Sequence, residues 1–144
     1  MKEIVINGFD EKIYYDVCDN GLPIYMHVND KVNNFYITLS VRYGSVDTEF
    51  CVKGEKKYTK VPDGVAHFLE HVNFNEGDNE TAHDYFNNLG SSINAFTTFD
   101  YTCYEVFASN EFEKNLNHLL DYVQKPYFTD KLIEKEKGII CEEI

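Results

Sequence analysis

The chain has 144 residues, a formal net charge of −12, and 43% hydrophobic and 15% aromatic residues, a globular composition long enough for one domain with a proper core. So acidic a chain repels phosphate, which argues against nucleic acid and anionic membrane surfaces as partners, while a cationic peptide is attracted at long range. No run reaches the roughly 18 apolar residues of a membrane span, and the start, MKEIVINGFDEKIYY, lacks the apolar stretch of a signal peptide.

In chain order, KIYYDVC and PIYMHVN are two β-rich runs around DNGL, where Asn20-Gly21 signals a hairpin. NNFYITLSVRYGS reads as a longer strand ending at Gly44-Ser45, and VKGEKKYTKVPDG as a polar loop. GVAHFLEHVNF has helical length, with Val65, Phe68, Leu69, Val72 and Phe74 mainly on one broad face and Asp63 placed as a cap. TAHDYFNNLG reads as a short helix stopped by Gly90. SSINAFTTFD and YTCYEVFAS follow as two strands joined near Asp100. NEFEKNLNHLLDYVQKP is a helix that Asn110 and Glu113 start as a capping box and Pro126 ends. TDKLIEKEKGIICEEI is a last helix capped by Thr129. Grouped strands that do not strictly alternate with helices predict a two-layer α+β domain over 1–144, a largely antiparallel sheet with helices on one face.

The four cysteines, Cys18, Cys51, Cys103 and Cys141, form no C-x-x-C pair and read as reduced, mostly buried thiols of a cytoplasmic protein. NET at Asn79–Thr81 fits a glycosylation acceptor without other signs of secretion. CEEI has glutamates where a prenylation box wants aliphatics.

The chemistry concentrates in HFLEH, residues 67–71. A helix advances about 100° per residue, so His67 and His71 stand about 40° apart and stack on one face, with Glu70 about 60° to the other side of His67. Two imidazoles at this spacing can bind zinc, and the carboxylate beside them can take a proton from water activated there. H-x-x-E-H is the inverted form of the H-E-x-x-H zinc helix. The bland alternative is an amphipathic helix with two chance histidines. Catalytic zinc takes three protein ligands, and the terminal helix offers carboxylates: Glu136 and Glu143 lie two helical turns apart and share a face. Glu134 and Glu142 read as solvated surface. Cys103 and Cys141 are thiolate alternatives, although Cys141 points about 160° away from Glu143 on a helix. His83 reads as structural or exposed, His118 as exposed and His27 as an ordinary strand residue.

HFLEH, then LGSSINAFTTFDYTCYEV, then EKEKGIICEEI together resemble the N-terminal part of the inverzincin zinc metallopeptidases, the group of pitrilysin, insulin-degrading enzyme and the mitochondrial processing peptidase. The likeness spans nearly the whole chain and is nearest to bacterial cytosolic members. It implies a processing-peptidase-like fold and zinc-dependent hydrolysis of peptide bonds, with one zinc per site. It implies His67 and His71 as metal ligands, Glu70 as general base, Glu143 as third ligand, Glu136 as a supporting acid that does not bind metal, and Asn94 and Ala95 on a strand that pairs with the substrate backbone. An open edge on SSINAFTTF would let an extended peptide add as a further strand. The family's chains are longer, with a second related half that supplies an Arg and a Tyr and closes the cavity. The 144 residues are therefore expected to be the N-terminal, zinc-binding part of a two-half peptidase, weakly active or inactive alone. The expected partners are a peptide or unfolded protein substrate and the missing half or a homologous subunit, with a homodimer as a further option. Two rival functions are a non-catalytic subunit of a two-chain processing peptidase and a metallo-lyase of the S-ribosylhomocysteine lyase type, which uses a cysteine as third ligand.

Overall fold

The computed structural model describes residues 1–6, 8 and 11–143. Its residues fall into two compact units, Met1–Asn33 and Asn34–Ile144, where length alone argued for one domain.

The first unit is an antiparallel meander of β1 (Lys2–Val5), β2 (Lys12–Val17) and β3 (Pro23–His27) in that order. The DNGL signal does produce a hairpin. Gly21 adopts a φ of 88°, a left-handed conformation that costs glycine nothing. The Asn20 side chain accepts the Leu22 amide, and the Cys18 amide donates to Leu22 O. Asn7-Gly8 between β1 and β2 is a hairpin signal of the same kind as Asn20-Gly21, so the antiparallel pairing of these two strands was legible locally as well.

The second unit contains β4 (Phe35–Val41), β5 (Glu49–Phe50), β6 (Thr59–Lys60), α1 (Val65–Asn73), α2 (Ala82–Asn88), β7 (Ser92–Thr97), β8 (Thr102–Ala108), α3 (Phe112–Gln124) and α4 (Asp130–Glu143). β4, β8 and β7 form an antiparallel sheet with β8 in the centre, and β5 and β6 pair as a small ribbon inside what reads as a polar loop. The mixed architecture of antiparallel sheets and four helices agrees with the expected α+β class.

Strand register explains the core. Ile37, Val106 and Ile93 align across the three strands, as do Leu39, Tyr104 and Ala95. Side chains alternate faces along a strand, so these two rows share one face. Together with Ala82 and Phe86 of α2 and Leu119 and Tyr122 of α3 they make the hydrophobic core. The next row on that face is Val41, Thr102 and Thr97.

At Gly44 an added Cβ would lie 2.5 Å from the Phe99 carbonyl and the Asp100 nitrogen, so only glycine admits this approach. The contact lets Ser45 and Val46 amides donate to Thr98 and Phe99 carbonyls, which ties the chain after β4 to the β7–β8 turn.

Several local readings are corrected. Asp63 does not cap α1: Gly64 does, at a φ of 84° and without a side-chain hydrogen bond. Asn110 and Glu113 form no capping box. The cap of α3 is Glu111 in the left-handed region, without a side-chain cap hydrogen bond, and the buried Asn115 side chain donates to the Asn110 and Glu111 carbonyls, tying the helix to the segment before it. In contrast, Thr81 and Asp84 make a full capping box on α2, Gly90 takes a φ of 71° beyond its end, and the Thr129 hydroxyl accepts the Leu132 amide at the start of α4. Cys103 is buried in β8, but Cys18, Cys51 and Cys141 are exposed, because they fall in a turn, a loop and the outer side of a helix. No helix among the described residues is long and apolar enough to cross a membrane.

Candidate metal centre

Two helices build the site. α1 turns Ala66, Glu70 and Val72 into the protein, which fixes the rotation of the helix and so the direction of the two histidines. His71 lies in the last turn of α1, where the partial negative charge of the unpaired carbonyls favours a cation. The Asn75 amide group bonds the His71 and Val72 carbonyls and closes that end. α4 is anchored by buried Leu132 and Glu136. It packs against α1 and carries Glu143 two turns beyond Glu136.

The imidazoles of His67 and His71 stand nearly perpendicular, at 88°, with their Nε2 atoms 3.1 Å apart. Glu143 Oε2 is 3.6 Å from each of them. Two bonds of about 2.05 Å meeting at the tetrahedral angle hold their donor atoms about 3.3 Å apart. The three sides of the triangle bracket that spacing, and among the described residues His67, His71 and Glu143 form the group of donors close enough to share an ion. The donor set, two imidazoles and a carboxylate, suits zinc. Cys141 is not part of the group.

Glu136, 4% exposed, places Oε2 at 3.7 Å from His71 Nδ1, the ring nitrogen that faces away from the triangle. This is ion-pair distance and slightly long for a direct hydrogen bond. The carboxylate thus faces the Nδ1 edge of the ring, while Nε2 faces Glu143 and His67.

Glu70 is 7% exposed. The Thr97 hydroxyl donates to its Oε2 at 2.6 Å. Thr97 lies 3.4 Å from the Thr102 hydroxyl, which itself donates to the Tyr43 carbonyl at 2.9 Å. Below Glu70, Asn73 donates to the Tyr104 phenol oxygen at 2.7 Å. Burial pushes the Tyr104 phenol up; the Asn73 hydrogen bond opposes this, and the Glu70 charge adds to it. Tyr122 is pushed up as well, mainly by burial and then by Tyr104, Glu76 and Glu70. Both phenols therefore stay neutral and add no negative charge beside Glu70.

Asn94 and Ala95 lie on β7, an edge strand that pairs among the described residues with β8. Ala95 is on the core-facing side and Asn94 on the other. His118 is not exposed as expected: it stacks on Tyr85 with ring centroids 3.5 Å apart and meets Glu76 at 3.0 Å. His83 is exposed and stacks on Phe74, and His27 pairs with Glu11 at 3.2 Å. Thr97 and Asn73 went unremarked in the sequence. For Thr97 the signal was present in the parity of β7, since 93, 95 and 97 must face the same way.

The model of the insulinase family, peptidase family M16, matches residues 51–144, which include every donor of the triangle. The chain belongs to peptidase family M16. Bacillus subtilis YmfH, described as an uncharacterised zinc protease, is 42% identical over 144 residues, covering all of this chain and 33% of that protein. AlbF of the same organism, named as a zinc protease, is 30% identical over 145 residues, covering 99% of this chain and 33% of that one. The crystal structure of a protein described as an M16-like peptidase from Alicyclobacillus acidocaldarius superposes with a TM-score of 0.85 at 37% identity, over 97% of this chain and 32% of that chain. This M16 chain thus spans about a third of the length of the relatives it matches.

Proposed function

We propose that the chain carries the zinc-binding, base-bearing portion of a metalloendopeptidase. The observation that carries this reading is the donor triangle of His67, His71 and Glu143 beside a buried, hydrogen-bonded Glu70. Membership of a family whose relatives are named zinc proteases supports it.

One zinc ion held by the three donors would polarise the scissile carbonyl and bring the pKa of water from near 16 towards about 7. Glu70 takes the proton of the attacking water and returns it to the leaving amine. Its low exposure keeps bulk water from competing for the carboxylate. Glu136 holds the His71 ring. The peptide lies along the open edge of β7 near Asn94 and Ala95, through backbone hydrogen bonds that tolerate many side chains. The tetrahedral oxyanion needs a further donor, and the part of the longer protein beyond this third would supply it and enclose the substrate. Cleavage by residues 1–144 alone is therefore expected to be weak or absent. Glu143, not Cys141, stands with the histidines, which favours the peptidase over the lyase reading.

The test is peptide cleavage by the full-length protein with and without zinc, beside Glu70→Gln. Expected are zinc-dependent cleavage by the parent and its loss in the variant, at the full zinc content. Cleavage that persists in Glu70→Gln removes the role of the base, and a zinc-loaded parent with no peptidase activity removes the reading as a whole.

A further inference from the structure

We propose that Thr97 is a positioning residue for Glu70: its hydroxyl holds Oε2 of the carboxylate and so aims the other oxygen, Oε1, at the water that is to be deprotonated. The inference rests on the reading of Glu70 as general base and goes beyond it by assigning what sets the direction of that base.

The argument is one of proton bookkeeping. Each threonine hydroxyl has one proton to give and two lone pairs to receive. Thr102 gives its proton to the Tyr43 carbonyl, which can only accept. Thr102 can therefore only accept from Thr97, and it lies 3.4 Å away. The carboxylate of Glu70 is a stronger acceptor and lies at 2.6 Å, the short distance of a charge-assisted bond. The Thr97 proton thus goes to Glu70; Thr102, its own proton given to Tyr43, is only a weaker and more distant rival acceptor for it.

Backbone placement makes this orientation rigid. Thr97 and Thr102 are cross-strand partners in β7 and β8, on the face that also carries Ile93, Ala95, Tyr104 and Val106. Tyr43 sits in the segment that Gly44 lets approach the β7–β8 turn. A carboxylate on a long side chain has several rotamers. A fixed donor from the sheet selects one, which matters because proton transfer depends on the base being within hydrogen-bond reach and aimed.

The experiment uses the full-length, zinc-loaded protein with Thr97→Val, Thr97→Ala and Thr97→Ser. The two variants without a hydroxyl should lose kcat by about 10–100-fold, as for other groups that orient a site from behind. KM should stay within about threefold, because the interaction is used in the transition state and not in substrate binding. Zinc stoichiometry should be unchanged. Thr97→Ser should recover most of kcat. In crystals of Thr97→Val the Glu70 carboxylate should leave its wild-type orientation while both histidines keep theirs, a readout independent of turnover. A parent that cleaves and a dead Glu70→Gln, together with Thr97→Val and Thr97→Ala at wild-type kcat, overturn the role of Thr97 and leave the base assignment standing. A serine variant as slow as the valine one also overturns it. Active Glu70→Gln overturns the base and Thr97's role with it.

Discussion

α1 and α4 contribute to the same three-donor cluster in opposite ways. α1 is held by what lies beside its donors: Ala66, Glu70 and Val72 are buried, and the His71 side chain is 19% exposed, although that of His67 is 40% exposed. α4 is held in its first half, by Leu132 and Glu136, and presents Glu143 with its side chain 47% exposed. His71 and the helix that carries both histidines are therefore positioned by packing before any ion arrives. Glu143 is a carboxylate on a stalk, drawn in by charge. A packed donor cannot be replaced by solvent without repacking, whereas water can take the place of an exposed one.

This contrast ranks the effects of breaking the site. His71→Ala, or His67→Ala, should lower zinc affinity on the order of a thousandfold, about a third of the 10–16 kcal/mol typical of a full ligand set; titration with a competing chelator measures it. Glu143→Ala should cost about a hundredfold in the same titration, less than either histidine, because water can fill the fourth and third positions together. An equal loss for Glu143 and His71 would erase the distinction between the two helices. Glu136→Gln keeps the shape and removes the charge beside His71 Nδ1, and should cost about tenfold, the low end for such partners. At the bottom of the scale is a control on neither arm. Asp84 has its carboxyl held below the ordinary 3.8, first by the Thr81 side-chain hydrogen bond and then by the Thr81 amide. A depressed folded-state pKa gives stability that is present above the ordinary value and lost as pH falls through the folded one. Asp84→Asn should therefore lower Tm at neutral pH, start to approach the parent as pH falls past 3.8 and meet it only below the depressed folded-state value, and leave zinc affinity untouched at neutral pH.

Which parts were legible follows from the range of the forces. His67, Glu70 and His71 share a helix, so their mutual geometry is a matter of about 100° per residue and is readable from the string. α3 and the strands β4, β7 and β8 announce themselves through 3.6- and 2-residue periods. The meeting of α1 with α4 is not local. The likeness of HFLEH and EKEKGIICEEI to one peptidase family pointed to it; spacing alone left Glu143 and Cys141 both open. Caps were misread at Asp63 and Asn110 because a suitable side chain is not sufficient: the backbone at Gly64 and Glu111 turns left-handed and starts the helix one residue later. His118 was misread because its partners, Tyr85 and Glu76, belong to other segments.

The most direct test is the anomalous diffraction of zinc in crystals of the protein. A single peak about 2.0–2.2 Å from His67 Nε2, His71 Nε2 and a Glu143 oxygen is the predicted result. A zinc peak bound to Cys141 in place of Glu143, or lying away from both histidines, would contradict the account.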